Sequence, residues 1–300
     1  MEKKLYQGIY AALITPYTKT GEVNYNQLQK LVNHLLEQGI AGFYVGGSTA
    51  EAFLLTEEER KGILEAVVEA NEEKGTVFSH VGAISTDMAI RLAEHAEETG
   101  VDAVSAVAPF YYNFTEKEII NYYCDIMRST DLPMIVYNIP SFSGFTLTES
   151  VLNELKKKGN VAGVKFTSPD FLLLQQIRAN NPELSVFNGF DQMLSAGLIM
   201  GATGAIGSTY NCLAPIACRI YDSFQNGETD QVEYAQNLLN RVLMVMRKYG
   251  VFSSIKTLLE FEGIECNGCR KPFSQMTEDG RIELKKVYED VMGCTARWKK

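Results

Sequence analysis

Eight short apolar runs alternate with charged stretches of helical periodicity along the first two thirds of the chain. Each run is almost continuously apolar at its centre, which is typical of parallel strands buried on both faces. Eight strand-then-helix units predict a (β/α)8 TIM barrel. The alternative, a doubly wound open sheet, lacks its phosphate fingerprint, because no GxGxxG closes the first run. The runs cover residues 8–16, 42–47, 76–82, 103–109, 133–140, 161–168, 184–190 and 204–209.

After about residue 212 the strand-like runs stop and only helical periodicity continues. We therefore predict a barrel domain over residues 1–226 that carries the active site, and a C-terminal helical domain over residues 227–300. No linker rich in Pro, Gly or Ser separates the two parts, so we expect the helical extension to pack on the barrel. The helical patterns cover residues 214–225, 231–249, 252–262 and 277–292.

Two of the predicted barrel helices begin at capping boxes. Thr56 is followed by Glu59, and Thr115 is followed by Glu118, each three residues on. In this motif the hydroxyl and the carboxylate each bind the other residue's backbone N–H. We therefore expect helices to start directly after Thr56 and Thr115.

Charge and length argue against several classes of partner. The chain of 300 residues has a net charge of −9 and no basic stripe, which argues against a nucleic acid. An acidic surface repels anionic membranes, and no apolar run approaches the length of a membrane span. The N-terminus has no apolar core and no cleavage signal of a secretory leader. We therefore expect a cytoplasmic protein whose six cysteines are free thiols.

Cys266 and Cys269 have the CxxC spacing of zinc and redox sites. A structural zinc site needs two further well-spaced ligands. The histidines His34, His80 and His95 all lie far from this pair in the sequence. We therefore predict no metal there, and only a packing role for the two cysteines.

Lys165 stands in the middle of the sixth apolar run. An ammonium among apolar neighbours loses hydration, which lowers its pKa and raises the neutral fraction. A neutral amine can attack a ketone and form a Schiff base. The competing interpretation is that a lysine near a strand end points its amine into water. The residues at the other strand ends are needed to distinguish these two interpretations of Lys165.

Polar groups gather at the ends of the other runs, where catalytic groups of a barrel are expected. The second run ends in a glycine-rich turn with Ser48 and Thr49, whose N–H groups and hydroxyls can converge on a carboxylate. An ordinary capped turn would look the same in sequence. Tyr137 in the fifth run is either a core residue or, near a lysine amine, a proton relay.

This inventory narrows the chemistry. An amine nucleophile, a phenol and an anion-binding turn are present, but no metal set, Ser-His-Asp arrangement or nucleotide loop is visible in the sequence. The combination suits the making or breaking of a carbon–carbon bond through an imine. Because the protonated imine withdraws electrons, no external cofactor is needed.

Five segments of the chain resemble the N-acetylneuraminate lyases, which belong to the class I, pyruvate-dependent aldolases together with dihydrodipicolinate synthase. The likeness extends from about residue 8 to residue 273, with the motifs in order. It implies a (β/α)8 barrel with a C-terminal helical domain, assembled as a homotetramer. The segments are residues 44–53, 105–112, 136–140, 163–167 and 204–211.

The resemblance also implies a mechanism. Lys165 would attack C2 of open-chain N-acetylneuraminate (sialic acid), and Tyr137 would move protons to and from the C4 hydroxyl. Cleavage of C3–C4 would release N-acetylmannosamine, and hydrolysis of the enamine would free pyruvate. Ser48 and Thr49 would hold the pyruvyl carboxylate, and Tyr111 would reach across a subunit interface to complete a hydroxyl relay. The positions at the sugar's hydroxyl-rich tail would be Thr167, Gly189, Asp191, Gln192 and Ser208.

Three residues depart from the family pattern. Ala50 replaces a glycine, and would cost roughly 1 kcal/mol if that position needs a positive φ. Gln192 replaces a glutamate, and Phe190 stands where some relatives have tyrosine. None of the three touches the imine chemistry, so we expect effects on sugar preference and affinity only.

Two other functions stay open. Dihydrodipicolinate synthase uses the same lysine and tyrosine, but it has an arginine for its substrate's carboxylate where this chain has Phe142. A phenyl ring cannot pair with a carboxylate, which favours the lyase. A related keto-sugar-acid aldolase remains a further possibility. A non-catalytic barrel that binds sugar acids should have lost Lys165 or Tyr137, and both are present.

Overall fold

The computed structural model describes residues 5–295 and 298. Eight parallel strands pair in sequence order and close into a barrel, with β8 beside β1. The predicted (β/α)8 barrel is therefore confirmed, and each predicted run contains one strand. The strands are β1 (Gly8–Ala12), β2 (Gly42–Val45), β3 (Thr76–His80), β4 (Ala103–Val107), β5 (Met134–Asn138), β6 (Val161–Phe166), β7 (Ser185–Asn188) and β8 (Gly204–Gly207).

Helices follow the strands around the barrel, and three more form the C-terminal part. Both predicted capping boxes are present, because the side chains of Thr56 and Thr115 accept from the backbone N–H of Glu59 and Glu118. The helices are α1 (Tyr25–Glu37), α2 (Glu57–Asn71), α3 (Thr86–Thr99), α4 (Glu116–Arg128), α5 (Pro140–Ser143), α6 (Glu149–Lys158), α7 (Phe171–Asn180), α8 (Leu194–Ile199), α9 (Tyr210–Gln225), α10 (Thr229–Tyr249), α11 (Val251–Phe261) and α12 (Glu278–Thr295).

Aromatic side chains fill the N-terminal half of the barrel interior. Tyr10 on β1 stacks on Phe78 with ring centroids 4.8 Å apart, and Phe78 packs on Phe187 at 5.6 Å. The Tyr10 hydroxyl donates to the carbonyl of Gln7, which lies just before the first strand. Because these rings occupy the interior, we expect a ligand to bind at the C-terminal mouth, where catalytic groups of such folds lie.

Two of the C-terminal helices contact loops of the barrel. From α10, Gln236 donates to the carbonyl of Asp191 at 3.1 Å. From α11, Lys256 forms an ion pair with Glu51 at 2.5 Å. The helical part thus contacts the loops after β7 and β2, which both belong to the C-terminal mouth. None of the described helices is both long and apolar enough to cross a membrane.

Candidate active site

Lys165 and Tyr137 are direct neighbours across two adjacent strands. Lys165 of β6 is the register partner of Tyr137 of β5. Paired residues of parallel strands project to the same face, and here that face is the barrel interior. The side chains are buried, with 4% and 5% of their surface exposed. The interpretation of Lys165 as a solvent-directed strand-end lysine is therefore wrong.

The Lys165 amine lies between two tyrosine rings. Its Nζ is 3.8 Å from the ring centroid of Tyr44 and 4.2 Å from that of Tyr137. Burial lowers the pKa of Lys165 to about 7, while the charge of Asp191 acts in the opposite direction. Near neutral pH a large fraction of the amine is therefore uncharged and able to attack a carbonyl carbon.

The Tyr137 phenol faces two hydroxyl groups. Burial raises the pKa of Tyr137 to about 12, and the hydroxyls of Thr167 and Ser48 oppose that rise. The phenol therefore carries its proton at neutral pH and can donate it or pass it on to a neighbour. Ser48 and Tyr137, two members of the relay expected from the sequence, lie together.

The Thr167 hydroxyl is only partly hydrogen-bonded. Its Oγ1 is buried and faces the Tyr137 phenol, but it has no other hydrogen-bond partner among residues 5–295 and 298. A Cβ on Gly189 would lie 1.9 Å from this oxygen, so only glycine fits beside it. A buried hydroxyl with unused hydrogen-bonding capacity costs stability unless a ligand or water binds it. Thr167 is thus available to a bound molecule, and Gly189 provides the room.

The turn after β2 is a short 3-10 helix, Ser48–Ala50. Gly46 before it has φ +74°, and Glu51 after it is left-handed with φ 60°. Ala50 lies inside the 3-10 helix, and its carbonyl accepts from the hydroxyl of Thr15 at 2.8 Å. The left-handed position is thus Glu51, and the cost considered for alanine at position 50 does not arise.

Asp191 lies buried between the ends of β7 and β8. Its Oδ2 accepts from the N–H and Oγ1 of Thr209 at 2.8 and 2.7 Å, and from the Ser208 hydroxyl at 3.4 Å. Burial raises the pKa of Asp191, and these hydrogen bonds oppose the rise. Gln192 is partly exposed, and its carbonyl accepts from Asn240 of α10 at 3.2 Å. Asp191, Ser208 and Gln192 therefore form one rim of the mouth.

Tyr111 lies apart from the other candidates. It follows β4, has φ 80° and is 84% exposed. Its ring packs on Tyr112 with centroids 5.0 Å apart. Within its own chain, Tyr111 projects into solvent instead of entering the site that holds Ser48 and Tyr137.

Sequence reasoning missed Tyr44 and His80. The Tyr44 ring covers the lysine amine, and its hydroxyl is 3.0 Å from the Ser105 hydroxyl. His80 Nδ1 lies 2.9 Å from the Gly46 carbonyl, and Nε2 accepts from Val107 N–H at 3.3 Å. Burial holds the pKa of His80 well below its usual range, so the ring is neutral and its Nδ1–H donates to Gly46. His80 ends β3 and Tyr44 is the last residue but one of β2, and this position near a strand end was the available signal.

An apolar chamber opens beside Ser48 at the barrel mouth. Its volume is about 530 Å³. Phe142 of α5 is 68% exposed and forms part of the wall. Other wall residues include Phe53, Phe110, Ile139, Phe252 and Phe273.

Comparisons with known proteins agree with this geometry. Over 288 residues the chain is 40% identical to N-acetylneuraminate lyase of Citrobacter koseri, covering 95% of this chain and 97% of that protein. It is 41% identical over 286 residues to N-acetylneuraminate lyase 2 of Escherichia coli, covering 95% and 94%. These relatives confirm the resemblance stated from the motifs.

Solved structures give the same result. A Clostridium difficile protein in complex with mannosamine superimposes with a TM-score of 0.93 at 34% identity, covering 96% of this chain and 100% of that one. A catalytic lysine mutant of a Ruminococcus gnavus sialic acid aldolase superimposes with a TM-score of 0.94 at 30% identity. The match covers 98% of this chain and 97% of that one. The sequence also matches the dihydrodipicolinate synthetase family over residues 5–291. The chain belongs to the dihydrodipicolinate synthetase family.

Proposed function

We propose that this chain is a Schiff-base aldolase, a carbon–carbon lyase that reversibly cleaves N-acetylneuraminate to pyruvate and N-acetylmannosamine. The observation that carries the proposal is the Lys165 amine, buried 4.2 Å from the ring centroid of Tyr137 with its pKa lowered to about 7. The names of the relatives supply the substrate.

The reaction begins when the neutral amine of Lys165 attacks the C2 ketone of the open-chain sugar acid, and water leaves to give a protonated imine. This imine withdraws the electron pair of the C3–C4 bond as the C4 hydroxyl loses its proton. N-acetylmannosamine departs as an aldehyde and leaves an enamine on Lys165. Protonation at C3 and hydrolysis then release pyruvate and the free amine. Tyr137, with the Ser48 hydroxyl beside it, moves the C4 proton.

The substrate would lie across the barrel mouth. Ser48 and Thr49, at the start of the 3-10 turn, would bind the carboxylate with hydroxyl and N–H groups. The remaining hydrogen-bonding capacity of the Thr167 hydroxyl would bind a sugar hydroxyl group. The tail would reach the rim on the far side of Lys165, formed by Gly189, Asp191, Gln192 and Ser208.

The dihydrodipicolinate synthase alternative requires a cation for the carboxylate of its aldehyde substrate. Position 142 instead carries a phenyl ring that lines the apolar chamber beside Ser48. An uncharged acceptor sugar has no such requirement, so the chamber supports the lyase over the synthase.

The assembly and location belong to the same proposal. We propose a homotetramer in which Tyr111 enters the site of a neighbouring subunit, because its ring is 84% exposed in its own chain. All six cysteines are free, which suits a reducing cytoplasm. The imine is its own electron sink, so the proposed reaction uses no metal or organic cofactor.

A coupled assay for pyruvate tests the function. We expect release of pyruvate from N-acetylneuraminate, and in reverse its consumption with N-acetylmannosamine but not with aspartate semialdehyde. Pyruvate and borohydride should leave a stable adduct on Lys165, and the Lys165→Ala variant should show neither turnover nor adduct. Consumption of pyruvate with aspartate semialdehyde alone would assign the chain to the synthase.

A further inference from the structure

Glu51 and Lys256 form an ion pair that excludes solvent. Lys256 Nζ lies 2.5 Å from Glu51 Oε1, and the side chains are 1% and 0% exposed. The residues are 205 positions apart, Lys256 on α11 and Glu51 directly after the 3-10 turn with Ser48 and Thr49. Burying two charges is costly, and removing one partner from such a pair is strongly destabilising. A pair of this kind at the edge of the active site therefore calls for a role.

The remaining hydrogen bonds of the pair all involve one segment, residues 264–270, which we name the C-terminal strap. Lys256 Nζ donates to the carbonyl of Gly268 at 2.8 Å, and its charge lies 4.1 Å from the ring centroid of Tyr17. Glu51 Oε2 accepts from the backbone N–H of Arg270 at 2.7 Å. One carboxylate thus joins the turn, α11 and the strap.

Arg270 holds the other side of the turn. Its Nη1 donates to the carbonyl of Leu54 at 2.9 Å, and its guanidinium pairs with Glu59 at 2.5 Å. Glu59 is the acidic member of the capping box that starts α2. The chain from Ser48 to the start of α2 is therefore fixed at Glu51, at Leu54 and at Glu59, each time by the strap or α11.

The strap explains the CxxC pair. Cys266 and Cys269 are buried, and burial raises the pKa of each thiol to about 12. Both thiols therefore stay protonated and pack as small apolar groups. The backbone between and after them supplies the Gly268 carbonyl and the Arg270 N–H that bind the ion pair.

Glu51 also has an unfavourable backbone conformation. Its left-handed φ and ψ of 60° and 34° are unusual for a residue with a side chain. Its own N–H donates to the carbonyl of Ser48 at 3.1 Å, which closes the turn. The ion pair holds the carboxylate and so holds this conformation.

We propose that Glu51, Lys256 and Arg270 are positioning residues through which the C-terminal helical part sets the geometry of the carboxylate-binding turn. None of the three needs to touch the substrate. They act by fixing where Ser48 and Thr49 stand relative to Lys165. The inference rests on the proposed function, because it assigns the turn to the carboxylate of the keto acid.

The double variant Glu51→Gln/Lys256→Met tests the inference, since it removes both charges and leaves neither unpaired. The measurement is the rate of borohydride trapping on Lys165 as a function of pyruvate concentration. We expect the half-saturating pyruvate concentration to rise about ten- to a hundredfold, since misplacing a positioning group by about 1 Å can cost about 10²-fold. The limiting trapping rate should change less, because Lys165 and Tyr137 stand on other strands.

Two further variants separate positioning from general loss of stability. Leu284→Ala, in the buried face of α12, should lower the melting temperature while it leaves half-saturation by pyruvate unchanged. Arg270→Gln, at a partly exposed site, should raise the half-saturating pyruvate concentration by a few fold. This variant replaces the double variant as the test if the double variant fails to fold.

If the folded double variant has the same half-saturating pyruvate concentration as the wild type, this inference is wrong and the proposed function still stands. If the double variant does not fold, an unchanged half-saturating pyruvate concentration in Arg270→Gln leads to the same conclusion. A wild-type chain that gives no pyruvate adduct would overturn the proposed function and this inference together.

Discussion

At the scale of the residue, the proposed chemistry depends on a lysine whose charge is unfavourable where it stands. The pKa of Lys165 falls from 10.5 to about 7 through burial alone, against the opposing charge of Asp191. Its Nζ also lies over the faces of the Tyr44 and Tyr137 rings, which attract a cation. The amine is thus poised near neutrality, as a nucleophile for imine formation has to be.

The pH dependence of imine formation follows from this pKa. We expect the trapping rate at pyruvate concentrations well below saturation to rise through about pH 7 and then to level off, because only the neutral amine of the free enzyme attacks. Asp191→Asn should move the midpoint to lower pH, since the Asp191 charge raises the pKa of Lys165. Rates measured with cyanoborohydride would show this. A midpoint near 10 in the wild type would mean that Lys165 is solvated and would contradict the site.

Tyr137→Phe should slow turnover without preventing imine formation. The ring that flanks Lys165 is retained, while the hydroxyl beside Ser48 and Thr167 is lost. We expect kcat for N-acetylneuraminate to fall by about 10²–10⁴, the range for loss of a positioned proton carrier. The pyruvate adduct should still form on Lys165. Unchanged kcat would show that the C4 proton takes another route.

At the scale of the element, sequence patterns were sufficient for the strands and for the residues at their ends. Buried parallel strands are apolar throughout, so each run contained one, although it continued into the buried loop at the mouth. The contact of the Tyr44 ring with Lys165 could not be predicted, because Tyr44 belongs to a strand four places away. The Glu51–Lys256 pair joins residues 205 positions apart, and no local pattern indicates such a contact.

Gly189→Ala tests the contact between the loop after β7 and β6. A methyl group would lie 1.9 Å from Thr167 Oγ1, so the hydroxyl must leave its present position. We expect KM for N-acetylneuraminate to rise about tenfold, as for a lost hydrogen bond to a sugar hydroxyl. Gly293→Ala in α12 is the matched control, because a Cβ there meets nothing within 4 Å. Equal KM values for the two variants would remove Thr167 from the sugar site.

At the scale of the whole molecule, one barrel contains most of the proposed site residues, but Tyr111 lies apart from them. A neighbouring subunit could supply its own Tyr111 to this site. Tyr111 is 84% exposed although it follows β4 at the mouth. Placed in a neighbouring subunit's site, its hydroxyl would extend the Ser48–Tyr137 relay. The proposed tetramer would then be needed for activity, and each site would combine residues from two chains.

Subunit mixing tests this shared site. Lys165→Ala chains alone should be inactive. Tyr111→Phe chains alone should be less active than wild type by at least about tenfold. Hybrids formed by mixing should regain activity, since a Lys165→Ala subunit can lend its intact Tyr111 to a neighbour with an intact lysine. Light scattering should give the same mass for all three samples. Hybrids no more active than their parents would place Tyr111 outside the neighbour's site.

The lysine that we propose as the nucleophile costs folding stability. In the unfolded chain Lys165 titrates near 10.5, but in the folded barrel near 7, so the folded state binds fewer protons between these values. Stability therefore rises with pH across this window, and the cost below about pH 7 is on the order of 5 kcal/mol. Lys165→Met, which keeps the length of the apolar stem, should melt at a higher temperature than wild type at pH 6.5. The difference should shrink as the pH approaches 9, as differential scanning calorimetry at both values would show. A difference in melting temperature that stays constant with pH would mean that the packing of the side chain, and not the buried charge, causes the difference.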